Sequence, residues 1–152
     1  MKKFIIILII LLGIWLYKNP IGYISIVKPG LIIYSGVPIL NMDILILPTG
    51  KFLIQSKSYK KIELSQNMID ATIDRLGGGK DRPEVVIIGQ GLNKEMLLPI
   101  DEKLIEFFSS WNIPVYYGPT DEMAKKYNEL KKQKKKIMAL MSTAKPMEGI
   151  AY

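Results

Sequence analysis

The chain has 152 residues, 49% of them apolar, with 21 Lys plus Arg against 14 Asp plus Glu and neither His nor Cys. That length suits one domain with a real core, and eight Tyr within a 23% charged chain argue against disorder. Without His or Cys the chain cannot build a Cys/His zinc site, a thiol nucleophile, a disulfide or a Ser-His-Asp triad. The composition leans against an enzyme and calls for no cofactor and no metal.

The first element is an apolar run from Phe4 to Tyr17, interrupted only by Gly13, with Lys2 and Lys3 before it and Lys18 behind it. Three readings compete. A cleaved signal peptide shares this layout but needs small residues before the cut, which the following KNPIGYIS does not offer. A core helix would show polar positions every three or four residues. A transmembrane helix needs roughly 20 residues, and this run at about 1.5 Å per residue reaches only ~21 Å, leaving lysine snorkelling and bilayer thinning to make up the rest. The sequence reading is an uncleaved single-pass membrane anchor over residues 1–20. The basic N-terminus then puts the following domain on the exported side.

Beyond the anchor, GYISIV, LIIYSG, DILILP and KFLIQ read as four strands, with a loop around Pro38 to Met42 and a tight turn at Thr49-Gly50. A helix follows Ser65, with Met68, Ile69, Thr72, Ile73 and Leu76 on one face and Gly77 as its stop. Glu84 to Ile88 is a near-continuous apolar strand of the doubly buried kind, closed by Gly89-Gln90-Gly91. A helix from about Asp101 to Trp111 precedes the strand Pro114–Tyr117. A second helix begins at Thr120, read as its N-cap, with Asp121 and Glu122 in the first turn. Ile137–Met141 forms the last strand. The expected fold is α/β: a three-layer sandwich over residues 21–143 with a mixed central sheet and an N-terminal β-hairpin region, then an irregular tail over 144–152.

Several patterns invite a chemical reading. Leu76-Gly-Gly-Gly-Lys80 lacks the strand, spacing and hydroxyl residue of a phosphate loop and reads as a helix-ending turn. Gly89-Gln90-Gly91 sits at the carboxyl end of a strand, where open α/β sheets place ligands, although a lone G-x-G also serves as a turn. The acids Asp101, Glu102 and Glu106, like Asp70 and Asp74, read as solvated helix faces. Lys125, Lys126, Lys131, Lys132, Lys134, Lys135 and Lys136 form a basic patch against one acid, Glu129. No aromatic or Arg readers are interleaved, which argues against nucleic acid. Acidic headgroups and an ordinary polar helix exit remain open.

PEVVIIGQG, Pro99, IPVYY, Thr120 seven residues before Tyr127-Asn128-x-Leu130, and IMALMSTA follow one another in the order and spacing of a known family. Upstream, Tyr34-Ser-Gly36-Val37 and Asp43 to Pro48 fit as well. Together they resemble the Mth-type domain of unknown function, whose members include a mitochondrial complex I assembly factor and an adipogenesis-associated protein. The resemblance spans roughly residues 22–143. It implies a three-layer α/β sandwich and no established catalytic activity. It carries over Gly89, Gly91, Thr120, Tyr127, Asn128 and Leu130, with Asn128 holding the loop beside the glycines. The chain departs from the family at Gln90, where Thr is usual, and at Gln133 to Lys135, where Glu-Gly-Arg is usual. The tryptophan often found after the Leu-Pro hairpin is also missing.

The sequence thus points to a membrane-anchored, non-catalytic accessory or assembly protein acting through contacts with other proteins. Its candidate partner site is Gly89, Gln90, Gly91, Thr120 and Asn128. The alternative is a small-molecule-binding or enzymatic domain using the Gly89–Gly91 loop.

Overall fold

The computed structural model describes residues 2–56, 60–73, 82–92 and 94–143. Ile24–Lys28 (β1), Leu31–Tyr34 (β2) and Val37–Leu40 (β3) pair antiparallel in that order as a small sheet. Its turns pass through Gly30 and Gly36, both at positive φ, a backbone region open to glycine at no steric cost. The expected loop from Pro38 is therefore partly a strand. Pro38 lies opposite Ile33 on edge strand β3, where a residue without an N–H is tolerated.

Asp43–Ile46 (β4), Phe52–Gln55 (β5), Val85–Gln90 (β6), Val115–Gly118 (β7) and Ile137–Ser142 (β8) form the main sheet in the order β5-β4-β8-β6-β7. β6 runs parallel to β7 and β8, while β4 runs antiparallel to β5 and β8. The sheet is mixed, as expected. Every residue of β6 and β8 is buried, which explains their unbroken apolar runs.

Alternating side chains send the main sheet into two cores. On one face Ile44, Ile46, Ile87 and Ala139 meet Ile32 and Tyr34 of the small sheet and Tyr127 of the helix Thr120–Lys132 (α4). On the other, Leu45, Val86, Ile88 and Leu140 meet Met68 of Gln66–Ile73 (α2) and Leu104 and Phe108 of Glu102–Ser110 (α3). The α/β sandwich has three layers. Asp101 caps α3 by accepting the Lys103 N–H at 3.1 Å. α4 departs from expectation at its start: Pro119 occupies the cap position and makes no side-chain cap bond, and Thr120 is the first helical residue. The predicted turn at Leu76 to Lys80, Asp74, and the tail from residue 144 lie outside the described residues.

The transmembrane helix is overturned. The N-terminal helix, Lys2–Lys18 (α1), has 17 residues, and no helix among the described residues is long and apolar enough to cross a membrane. At about 1.5 Å per residue even its full length, lysines included, falls short of a ~30 Å hydrocarbon core. Its last turn is also tied to the domain. Trp15 Nε1 donates to the Gly36 carbonyl at 3.2 Å, and Asn19, which closes the helix by donating to the Trp15 carbonyl, accepts the Ser25 hydroxyl of β1 at 2.5 Å. The single-pass localisation, and the exported side deduced from it, fall with the span.

Candidate functional site

The carboxyl ends of β6, β7 and β8 gather most of the described buried polar side chains: Asp43, Gln90, Thr120, Ser142 and Thr143. Thr120 is their hub. Its Oγ1 donates to the Ser142 carbonyl at 2.6 Å and accepts the Gly91 N–H at 2.9 Å. The Gln90 side chain turns inward, donating to the Leu98 carbonyl at 2.8 Å. A Cβ on Gly89 would lie 2.7 Å from Thr120 Oγ1 and 3.0 Å from Met141 Sδ. These glycines therefore serve close packing of the chain on itself, and the Gly91 amide is committed to Thr120. Gly89, Gln90, Gly91 and Thr120 are brought together as the sequence suggested.

Asn128 is not brought to them. Two turns further along α4, its Oδ1 accepts the Ile24 N–H at 3.0 Å and its Nδ2 donates to the Ile24 carbonyl at 2.7 Å. It stands in for a missing neighbour strand beside β1. Tyr127, on the same helix, meets Tyr34 at 3.4 Å between hydroxyls and donates to the Gly22 carbonyl at 3.2 Å. Burial, aided by the Tyr34 hydroxyl, pushes its phenol far above the ordinary range, so it is a neutral core group.

Sequence reasoning missed Asp43 and Thr143. Thr143 donates its N–H to Asp43 Oδ1 at 3.3 Å, while Thr143 Oγ1 and Asp121 Oδ1 are buried with no hydrogen-bond partner among the described residues. The signal was present for Asp43: a carboxylate opening the apolar run ILIL has nowhere polar to go except the strand end. Beside this cluster Gln90, Ile100, Glu102, Ile105, Glu106 and Tyr117 line an open cleft of about 410 Å³. Among the described residues no three potential ligands converge on a metal position.

The seven lysines do not form one patch. Lys126 lies over the Tyr116 ring at 5.0 Å. Lys131 reaches the other way, its Cε 3.3 Å from where a Cβ on Gly22 would stand. Lys135 pairs with Glu84 at 3.8 Å, and Lys134 and Lys136 line a cleft at the amino end of β6 with Arg82 and Trp111. Lys125 and Lys132 are exposed. The helix pitch and the turn after Lys132 disperse what the sequence presents as a run.

Among the described residues the longest run of exposed apolar side chains is on α1. From Ile5 to Leu12 every side chain is between 52 and 62% exposed. A helix lying on its own domain would alternate between buried and open positions, so this uniformity means that no face of Ile5–Leu12 is covered. Gly13 has no atom within 4 Å of an added Cβ, leaving an open notch in the rod. Exposed contiguous apolar patches of this size mark interaction surfaces in folded proteins.

No family model matches the chain, and no curated protein matches it. Solved structures do. An outer membrane protein from Bartonella henselae is 19% identical, with 84% of this chain and 98% of that one covered at a TM-score of 0.60. A conserved hypothetical protein from Pyrococcus horikoshii is 22% identical, with 80% and 98% covered and a TM-score of 0.54. A Mth938-like domain from Bordetella pertussis is 15% identical, with 83% and 88% covered and a TM-score of 0.54. At such identities the likeness speaks for the fold alone, and that fold is Mth938-like.

Proposed function

We propose that this chain is a non-catalytic accessory domain that works by docking onto another protein through α1. The observation that carries the reading is the even exposure of Ile5 to Leu12 on a helix whose root is held by the Trp15–Gly36 and Ser25–Asn19 bonds. Fully burying one such side chain is worth about 1.5–3 kcal/mol, so a partner that takes the helix gains a large driving force. The sandwich supplies a rigid base. The polar cluster around Thr120 supports a structural role, since its donors and acceptors are largely spent on one another.

The test is affinity isolation of the tagged full-length chain from its own cells, paired with Ile9→Asp. A stoichiometric protein that copurifies with the wild type and is lost from the variant supports the reading. A monodisperse wild-type monomer with nothing bound contradicts it.

A second reading, small-molecule binding near Gly89–Gly91, has one observation in its favour: the cleft beside Gln90. A stabilising compound in a thermal-shift screen, abolished by Tyr117→Ala, would support it.

A further inference from the structure

We infer that the partner of α1 is a different protein whose apolar groove encloses the helix all round and is rimmed by acidic side chains. This rests on the docking reading above and specifies the chemistry of its partner.

Enclosure follows from the absence of a polar face. A helix that settles into a half-open groove, or lies flat on a surface, keeps a polar stripe for water. α1 has none between Phe4 and Tyr17, and Ile5–Leu12 are exposed on every side. No helix among the described residues is long and apolar enough to cross a membrane, and a helix lying flat on one keeps the polar stripe that α1 lacks. A protein that wraps the helix satisfies its surface. Gly13 agrees with this: glycine inside a helix costs about 1 kcal/mol relative to alanine, and none of the described residues uses the space it leaves.

The acidic rim follows from charge. Residues 1–42 contain Lys2, Lys3, Lys18 and Lys28 and no Asp or Glu; the first acid, Asp43, is buried. Lys131 adds to the same end, its side chain lying against Gly22 just past the helix root. Both ends of the rod are therefore positive. A second copy aligned along α1 would set Lys2, Lys3 and Lys18 against their own kind, and residues 1–42 hold no acid to offset them. Like charges juxtaposed in an interface oppose association, and opposite ones steer it.

Calcium-loaded calmodulin, which wraps target helices in Met-rich apolar grooves and is strongly acidic, serves as the probe against the full-length chain. Binding should be measured by fluorescence anisotropy of labelled calmodulin. We expect binding that weakens about tenfold between low and high salt, weakens at least about tenfold in the triple variant Lys2→Glu, Lys3→Glu, Lys18→Glu, and is lost in Ile9→Asp. Circular dichroism of each variant checks that the sandwich is intact. Failure to bind would overturn the proposal. So would sedimentation showing a discrete oligomer dispersed by Ile9→Asp, or flotation with phosphatidylglycerol vesicles in place of calmodulin binding. Loss in Ile9→Asp combined with indifference to salt and charge reversal would overturn the acidic rim while leaving the protein-docking reading standing.

Discussion

Thr120 Oγ1 stands where it would lie only 2.7 Å from a Cβ placed on Gly89. The two residues come from the start of α4 and the end of β6, and their approach lets one hydroxyl join the ends of β6 and β8. Gly89→Ala must therefore push back Thr120, whose Cα is also 3.0 Å from the new atom. We expect a loss of about 1–3 kcal/mol, typical of overpacking, read from the urea midpoint.

The same hydroxyl makes a second test. Thr120→Val keeps the shape but leaves the buried Gly91 N–H and Ser142 carbonyl without it. A buried donor such as the Gly91 N–H, stripped of its partner, costs about 1–3 kcal/mol. Thr120→Ser retains the oxygen and should remain close to the wild type in urea unfolding.

Asn128 ties α4 to β1 across 104 residues of sequence. Asn128→Leu removes both bonds to Ile24 and should cost about 1–3 kcal/mol. Amide exchange at Ile24 should accelerate in the variant, while exchange in β6 and β8 follows only the global change.

Acid should loosen the fold through Asp101 and Glu84. Lys61, then the Lys103 N–H, holds the Asp101 carboxyl below the usual range, and the Lys136 N–H does the same for Glu84. A carboxyl with a lowered folded pKa stabilises fully above its ordinary value of about 4, and that stabilisation is lost as pH falls through the lowered value. Glu84 is exposed and Asp101 is half-buried beside an exposed lysine, so the effect is modest and salt-sensitive. Urea titrations from about pH 5 downward should show a shallower decline in Asp101→Asn with Glu84→Gln than in the wild type.

Much of the fold is legible in the chain because its signals are local. The apolar runs at Val85–Ile88 and Ile137–Met141 name interior strands, and Asp101 marks the start of α3 where the sequence places it. β3 is hidden by Pro38, whose effect depends on the strand's being at an edge, which only the assembled sheet decides. The short span is written in the sequence as a 14-residue run, whose hydropathy points to a membrane while its length does not. The site is less legible. The glycines are marked by the strand end they close and Thr120 by the family resemblance, but the placement of Asn128 on Ile24 and of Thr143 on Asp43 depends on contacts 100 or more residues apart.

Coverage of α1 by a protein can be read most directly from a photo-crosslinking residue at Ile9 in the full-length chain within its own cells. A discrete adduct with a different polypeptide is expected, one that disappears when Leu12→Asp is added. Adducts with lipid alone, or only with further copies of this chain, would contradict it.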